Sequence, residues 1–361
     1  MIYENPNLVL PTTFQKSETI TCKSPSNIAI VKYWGKYGRQ LPRNPSISLT
    51  LDNAFTKTDL TYFPKEKADN TISLKFRFEG NENEAFRLKM VKFLESITNV
   101  FPFLYQLHFE VNSINSFPHS SGIASSASSM SALAMIICEL ENRLFGTLSD
   151  TNERLQKASF IARLGSGSAA RSIFPVAGMW GELATESAAS NFFAIPFADR
   201  LHQVFHTFHD DILIVSKGEK AVSSRAGHAL MEGNIYAENR YEQARNRTTE
   251  LIDAFAKGDV EHFGKIAEND ALTLHALMMC SEPSYMLMRP NSLLMIEKVR
   301  EFRHETRLPL YFTLDAGPNL HLLYPDEYVE PIQAFIKSDL VPLCQDEMWI
   351  ADKVGQGSAI I

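Results

Sequence analysis

Cysteine is scarce in this sequence of 361 residues, and the cysteines show no pairing pattern. They are scattered without CxxC spacing: Cys22, Cys138, Cys280 and Cys344. This distribution argues against a disulfide framework or a zinc site and indicates reduced thiols in a cytoplasmic protein. No segment reaches the roughly 18 apolar residues needed to cross a bilayer, so we expect no membrane-spanning part.

Positive charge is also in short supply. The formal net charge is −7 and no long basic run occurs. Both facts argue against binding to nucleic acid or to an anionic membrane. If the substrate is a polyanion, the sequence must gather its positive charge locally.

Several catalytic signatures are missing. The sequence has no HExxH motif, no Ser/His/Asp order and no nucleophilic cysteine context, and its ten histidines show no metal-ligand spacing. These absences argue against the common metallohydrolases and nucleophilic hydrolases. We therefore assign no side chain as a metal ligand.

The most informative segment that is present runs from Ser116 to Leu140. A Gly- and Ser-rich loop leads there directly into an apolar helical pattern. Backbone N–H groups, hydroxyls and the partial charge of a helix N-terminus favour an anion, most commonly a phosphate. The loop lacks the Lys-Ser/Thr ending of a Walker A motif and the GxGxxG spacing of a dinucleotide fold. The alternative is a Ser-rich turn that caps a core helix.

Hydrophobic periodicity predicts a mixture of helices and strands. Helices are predicted at 84–97, 129–143, 153–164, 236–256, 260–279 and 328–336. Strands are predicted at 71–80, 106–112, 211–215, 308–314 and 320–324, and short strands or helix starts at 28–33 and 47–51. The absence of a regular βαβ repeat favours an α+β fold over α/β. Because 182–210 has a loop-like composition, we expect domains at 1–195 and 196–361.

Two lysines lie close together near the start of the chain. In the segment SPSNIAIVKYWGKYG, Lys32 and Lys36 are four residues apart and Tyr33 lies between them. The three side chains can converge on one anionic ligand. The alternative is a pair of solvated lysines beside a core tryptophan.

A second Gly- and Ser-rich segment, ARLGSGSAARS, spans residues 162–172. It offers Ser166 and Ser168, followed by Arg171, whose guanidinium can hold a carboxylate or phosphate at two points. The alternative is a helix that ends at Gly165 and is followed by a new helix.

Two further segments carry candidate residues. AVSSRAGH, at 221–228, places Ser224 and Arg225 after a predicted strand, although alone it is an ordinary helix start. TLDAGPN, at 313–319, places Asp315 at a strand end in a turn fixed by Gly317 and Pro318. Such strand ends often carry a catalytic carboxylate, and aspartate is equally common there as a plain turn former.

Taken together, these segments favour an enzyme. Two phosphate-type loops, a lysine pair, two arginine-bearing serine segments and one isolated aspartate suit a nucleotide and a second polyanion bound near a carboxylate. That combination indicates phosphoryl transfer to a small acid.

The order of the motifs resembles that of the mevalonate diphosphate decarboxylase family of the GHMP kinase superfamily. NIAxxKYWGK, FPxxxGxASSAS, ARxGSGSAxRS, SSRxG and DAGPN follow one another over residues 22–325. KYWGK and GSGSAxRS are specific to the decarboxylase branch, whereas the Gly/Ser loop is shared by every branch. The resemblance implies a two-domain GHMP-kinase-like fold, with a ribosomal protein S5 domain 2-like N-terminal domain and a ferredoxin-like C-terminal domain.

The resemblance also implies an activity, the ATP-dependent decarboxylation of mevalonate 5-diphosphate to isopentenyl diphosphate, with ATP and Mg²⁺ as cofactors. Asp315 would lie next to the 3-hydroxyl as general base, Lys32 beside Asp315 and the transferring phosphate, and Arg171 on the substrate carboxylate. The diphosphate would be bound by Tyr33, Lys36, Ser166, Ser168, Ser224 and Arg225. The ATP phosphates would be cradled, and Mg²⁺ placed, by Gly122, Ser125 and Ser126. On the same basis we expect a homodimer.

Some positions depart from the family pattern. Pro45 stands where serine is usual, Ala170 replaces cysteine or serine, and the phosphate loop has PHSSG in place of PTAAG. These changes leave open a decarboxylase of mevalonate 5-phosphate, or a small-molecule kinase of the superfamily that does not decarboxylate. The presence of Asp315, Arg171 and Lys32 argues against a catalytically inactive metabolite-binding relative.

Overall fold

A computed structural model describes residues 2–67, 69–117, 125–218 and 224–361, without the side chains of residues 224 and 225. The strands are β1 (Glu18–Ala29), β2 (Lys36–Tyr37), β3 (Leu41–Pro42), β4 (Ser46–Pro64), β5 (Ser73–Phe78), β6 (Asn81–Glu82), β7 (Leu107–Asn115), β8 (Ala177–Trp180), β9 (Ala194–Pro196), β10 (His209–Leu213), β11 (Tyr311–Thr313), β12 (Leu320–Tyr324), β13 (Trp349–Ile350) and β14 (Ala359–Ile360). The helices are α1 (Glu84–Glu95), α2 (Ser125–Phe145), α3 (Thr151–Gly165), α4 (Ala169–Ser172), α5 (Ser224–Ala229), α6 (Ala237–Lys257), α7 (Val260–Met279), α8 (Pro290–Thr306) and α9 (Val329–Phe335).

The first sheet is built around the long strands β1 and β4. Its strand order is β14-β1-β4-β7-β5-β6, and β8 and β9 extend it from β4. Strands β5 and β7 run parallel, and the other neighbours are antiparallel. Helix α2 packs against β1, β4 and α3 with most of its apolar side chains buried. The predicted strands at 71–80 and 106–112 and the helix at 84–97 are confirmed.

The second sheet comes from the later part of the chain, in the order β11-β12-β10-β13. All its pairings are antiparallel. Helix α7 packs against β11 and against α6. The predicted helices at 236–256 and 260–279 and the strands at 211–215 and 320–324 are confirmed. A largely antiparallel first sheet and an antiparallel second sheet, each with its own helices, are the α+β arrangement that the sequence predicts.

Capping residues set several helix ends. The Asp150 carboxylate accepts the backbone N–H of Glu153 at 2.8 Å and begins α3. Gly258, with a φ of +71°, ends α6 in the left-handed conformation that glycine adopts readily. The next residue, Asp259, accepts the backbone N–H of His262 and begins α7. These local signals explain why the boundaries of α6 and α7 match the sequence prediction closely.

Asp352 lies where the two sheets meet. Its carboxylate accepts the backbone N–H groups of residues 52–54 at 2.7–3.0 Å, where β4 leaves its pairing with β1. The backbone N–H of Asp352 donates to Asp211 of the second sheet at 3.2 Å, and the Tyr324 hydroxyl donates to the same carboxylate at 2.7 Å. Burial raises the pKa of Asp211 to about 7 and that of Asp352 to about 6.

The structure differs from the sequence prediction in three places. The loop-like span 182–210 contains β9, which completes an antiparallel pair with β8. The predicted segment 28–33 overlaps only the end of β1 (Glu18–Ala29), and β4 continues beyond the predicted 47–51 to Pro64, because the polar parts of both strands are held by long-range pairing. Helix α8 was not predicted, since most of its apolar residues are consecutive, at 293–296, and do not recur at helical spacing. The division at 195/196 stays a prediction.

The cysteines form no disulfide bond, in agreement with the sequence prediction of free thiols. All four are free thiols, of which Cys280 is exposed and the other three are buried. Within the ranges that the structure describes, no helix combines the length and the apolar character that a membrane crossing requires.

Candidate active site

The structure brings Lys32 and Asp315 together from opposite parts of the chain. The Nζ of Lys32 donates to Oδ1 of Asp315 at 2.9 Å, and their side chains are 3% and 28% exposed. Lys32 follows the end of β1, and Asp315 follows β11 of the second sheet. The expected proximity of these two residues is therefore met, and the site lies where the two sheets approach each other.

The peptide groups on either side of Lys32 are held by a buried ion pair. The backbone N–H of Lys32 donates to Asp270 at 2.7 Å, and its carbonyl accepts from Arg240 at 2.8 Å and from Asn44 at 3.1 Å. Asp270 also accepts two hydrogen bonds from Arg240 and one from Arg247, at 2.7–3.0 Å. Burial alone would raise the pKa of Asp270, but the two arginines hold it below its usual value.

The main chain of Asp315 is held as well. Its carbonyl accepts the N–H of Gly317 at 2.7 Å within the turn and faces Nε2 of His275 at 3.1 Å. The next residue, Ala316, belongs to a buried apolar cluster with Trp34. Helix α7 and the segment after β1 therefore jointly fix the direction of the Asp315 carboxylate.

Arg171 is a buried cation surrounded by neutral partners. It is 1% exposed, and its guanidinium donates to Ser48 at 3.0 Å, to Ser46 at 2.6 Å and to Asn27 at 3.3 Å. Among the described residues, no carboxylate lies within ion-pair distance of Arg171. Burial lowers the pKa of Arg171 to about 10, with smaller opposing effects of Tyr33 and Asp315. A guanidinium so placed is suited to an anionic ligand.

The ring of Tyr33 contacts Arg171 and two aromatic rings. Its ring centroid is 4.8 Å from that of Trp180 and 4.7 Å from that of His228. Burial raises the pKa of Tyr33 to about 12, so its hydroxyl remains a donor at neutral pH. A Cβ on Gly167 would lie 2.7 Å from this hydroxyl, which explains the glycine between the two serines of GSGS. Lys36 Nζ lies 5.8 Å from the Tyr33 ring centroid.

The two serine-rich segments meet at their described ends. Ser126, in the first turn of α2, and Ser166, after α3, have hydroxyl oxygens 3.1 Å apart. Ser125 begins α2, whose first-turn N–H groups have no partner inside the helix. Ser168 immediately precedes α4, the short helix that carries Arg171. Gly122 and the side chains of Ser224 and Arg225 lie outside the described residues.

Sequence reasoning missed several residues that build the site. Ser46 and Ser48 are two apart on β4 and so share one face of the strand, a spacing that could have been noticed beside Arg171. Asn27 reaches Arg171 from a break in the β1–β4 register. Asp270 and Arg240 gave no signal, because charged residues on amphipathic helices are usually solvated.

The arrangement supports one kind of chemistry. A carboxylate paired with an ammonium group can accept or orient a hydroxyl proton, and the ammonium can stabilise a transferring phosphate. The buried guanidinium can hold a second anion nearby. Serine hydroxyls and a helix N-terminus fit phosphate oxygens.

Known families match the chain over most of its length. The model for the diphosphomevalonate decarboxylase-like N-terminal domain matches residues 24–191. The model for the mevalonate 5-diphosphate decarboxylase C-terminal domain matches residues 211–357.

Individual relatives agree with the family models. The diphosphomevalonate decarboxylase of Saccharomyces cerevisiae is 31% identical over 333 residues, which is 88% of this chain and 81% of that protein. A solved structure described as MDDEF in complex with MVAPP, AMPPCP and magnesium has a TM-score of 0.79 and 27% identity, and covers 96% of this chain and 99% of that chain. The mevalonate diphosphate decarboxylase of Staphylococcus aureus has a TM-score of 0.78 and 26% identity, with coverage of 96% and 98%. These similarities confirm the two-domain GHMP-kinase-like fold.

Proposed function

The chain belongs to the diphosphomevalonate decarboxylase family, and we propose that Asp315, Lys32 and Arg171 are the residues that carry the family's reaction here. The chain catalyses ATP-dependent decarboxylation of mevalonate 5-diphosphate, which yields isopentenyl diphosphate, ADP, phosphate and CO2. The observation that supports the assignment is the 2.9 Å Lys32–Asp315 pair beside the buried guanidinium of Arg171.

The first step is phosphorylation of the tertiary 3-hydroxyl of the substrate. Asp315 accepts or orients the hydroxyl proton while the hydroxyl oxygen attacks the γ-phosphorus of ATP and ADP leaves. Lys32 keeps the carboxylate in place and carries positive charge to the transferring phosphate. A tertiary hydroxyl is a poor leaving group, and its phosphate ester is a good one.

The second step is fragmentation. Phosphate leaves C3 with its bonding electron pair, and positive charge develops at that carbon. The C1–C2 bond then breaks, its electron pair forms the C2=C3 double bond, and C1 leaves as CO2. Arg171 holds the substrate carboxylate at two points until this bond breaks, so that its orientation is fixed before the charge develops.

The groups that would hold ATP and Mg²⁺ lie around the start of α2. Bound ATP supplies the phosphoryl group, and Mg²⁺ neutralises charge on its phosphate oxygens. Ser125, Ser126 and the first-turn N–H groups of α2 fit phosphate oxygens, and Gly122 belongs to the same loop in sequence. Among the described residues, no cluster of three or more acidic, cysteine or histidine side chains could hold a metal ion. Binding of Mg²⁺ through phosphate oxygens and serine hydroxyls would not require such a cluster.

The substrate diphosphate requires several donors. We assign this role to Tyr33, Lys36, Ser166, Ser168, Ser224 and Arg225. They supply more donors than a single phosphate needs, which favours the diphosphate over mevalonate 5-phosphate. The homodimer, the cytoplasmic location and the domain division at 195/196 belong to the same proposal.

A product assay tests this function. The protein is given ATP and Mg²⁺ with mevalonate, mevalonate 5-phosphate or mevalonate 5-diphosphate, and CO2 and ADP are measured separately. We expect CO2 and ADP in equal amounts, with kcat/KM highest for the diphosphate. Equal kcat/KM for the monophosphate and the diphosphate would contradict the substrate assignment, and ADP without CO2 would indicate a kinase.

A further inference from the structure

We propose that His228 is a positioning residue that fixes the Tyr33–Lys36 segment for binding the substrate diphosphate, an inference that rests on the function proposed above. His228 lies on α5, and the Tyr33–Lys36 segment follows β1, so nearly 200 residues of chain separate them. No catalytic or binding role was assigned to His228 in that function.

A hydrogen bond connects the histidine to the segment. The backbone N–H of Gly35 donates to Nδ1 of His228 at 3.0 Å, and both residues are buried. Nδ1 can accept this bond only when it carries no proton, so the imidazole must be the neutral tautomer with its proton on Nε2. Burial, and then Lys36, lowers the pKa of His228 well below its usual value. The acceptor is therefore retained throughout the neutral pH range.

Stacking places the imidazole accurately. Its centroid lies 4.7 Å from that of Tyr33, at an interplanar angle of 27°, and 4.4 Å from that of Trp34, at 33°. Gly227, the preceding residue, lets α5 approach, because a Cβ there would lie 2.7 Å from the Trp34 ring. The ring of His228 thus occupies a slot lined by the two aromatic residues of KYWGK.

The segment needs such support because its own conformation is unusual. Gly35 has a φ of +98°, and a Cβ at this position would lie 2.2 Å from the Tyr241 hydroxyl. Its N–H lies between Tyr33 and Lys36, two residues proposed to bind the diphosphate. Holding that N–H fixes the backbone from which both side chains extend. The same contact also connects this segment to α5, which begins at Ser224.

Two substitutions separate the hydrogen bond from the stacking. His228→Phe keeps an aromatic ring in the slot and removes the acceptor, leaving the buried Gly35 N–H without a partner. His228→Asn removes the ring and places an amide oxygen close to the position of Nδ1. His262→Asn is the matched control, because His262 is exposed and lies far along the chain on α7.

We expect His228→Phe to raise KM for mevalonate 5-diphosphate at least tenfold, with kcat and KM for ATP within about threefold of wild type. His228→Asn should recover most of that loss, and His262→Asn should match wild type. A melting curve for each variant accompanies the kinetics. Direct titration with mevalonate 5-diphosphate in the absence of ATP should show the same order of affinities.

Three outcomes would overturn the inference. One is a His228→Phe variant with wild-type KM for the diphosphate. Another is an asparagine variant no better than the phenylalanine variant, because the acceptor would then be irrelevant. The third is a variant in which kcat falls while KM for the diphosphate and KM for ATP both rise, which is the result that a general structural defect would produce. Failure of the proposed function appears separately, as a wild-type protein that does not prefer the diphosphate.

Discussion

Asp315 and Lys32 form an ion pair whose two members differ in access to solvent. The ammonium group is buried, whereas more than a quarter of the Asp315 side chain remains exposed. The carboxylate can therefore reach a ligand while one of its oxygens stays on the lysine. Arg171 shows the complementary arrangement, a fully buried charge whose described partners are hydroxyls and an amide. Both cations are thus held in place by contacts within the protein.

Replacing Asp315 by asparagine tests its role as general base. Asparagine keeps the size and an oxygen for Lys32 and removes both the base and the negative charge. We expect kcat to fall by roughly 10²–10⁴ while nucleotide affinity changes little. Steady-state turnover, a nucleotide titration and a melting curve measure this.

Asp346→Asn serves as the control, since Asp346 also pairs with a lysine at 2.8 Å but at the surface. Near-normal turnover in a folded Asp315→Asn protein would show that Asp315 only forms the turn.

Helix α7 is the element that organises the site. Asp270 holds the peptide N–H of Lys32, and His275 contacts the carbonyl of Asp315. One rigid helix thus sets the positions of both members of the ion pair. Glu268, on the same helix, pairs instead with Arg303 at 2.6 Å and forms no hydrogen bond with Lys32 or Asp315.

The contrast between Asp270 and Glu268 gives a matched pair of variants. We expect Asp270→Asn to lower kcat about 10- to 100-fold, because a misplacement of about 1 Å costs that much. Glu268→Gln should lower the melting temperature with kcat unchanged. Turnover and melting curves of both variants measure the difference.

If Asp270→Asn does not fold, Arg240→Lys keeps the charge beside Asp270 and weakens the two-point contact, and it should also lower kcat. Equal kcat values in the Asp270 and Glu268 variants would rule out a positioning role for α7.

The junction between the two sheets gives the whole molecule a pH dependence. Asp211 has a pKa of about 7 in the folded protein because it is buried, against about 3.9 in an unfolded chain. Between these values the folded state holds a proton that the unfolded state has lost. The contribution of Asp211 to the free energy of unfolding is therefore greatest below about pH 4, and it decreases as the pH rises towards 7.

We expect the free energy of unfolding to fall on the order of 1–4 kcal/mol between about pH 5 and pH 8. Asp211→Asn should flatten this dependence, leaving the smaller contribution of Asp352, which acts in the same direction. Denaturant titrations at several pH values measure the free energy of unfolding of both proteins. Asp339→Asn is the control, because its lowered pKa places its titration below this window. An equally steep dependence in Asp211→Asn would contradict the assignment.

The sequence predicted those parts of the molecule that depend on local signals. Helices α6 and α7 follow from amphipathic periodicity with Gly258 and Asp259 between them, and β12 follows from an apolar run. The charged candidates Lys32, Arg171 and Asp315 were named because they occur in distinctive motifs, and their roles stay predictions. The proximity of Lys32 and Asp315 was expected from the family resemblance, and the structure confirms it.

What sequence reasoning missed depends on distant parts of the chain. Ser46 and Ser48 carry no charge, so nothing marked them as partners of Arg171. Strand β9 is only three residues long and forms because β8 lies beside it. In the sequence Asp270 resembles any polar residue on a helix, and only the fold brings the backbone N–H of Lys32 to its carboxylate.

The last strand, β14, has a consequence for biosynthesis. It pairs with β1, and just before it Ser358 bonds to Ser24 at 2.7 Å and to the carbonyl of Ser172, at the end of the helix that carries Arg171. A ribosome makes β1 more than 300 residues before it makes β14. Nascent N-terminal regions generally fold first, so this region must wait with one sheet edge open while the remainder is translated. The surroundings of Arg171 are thus among the last parts of the protein to form.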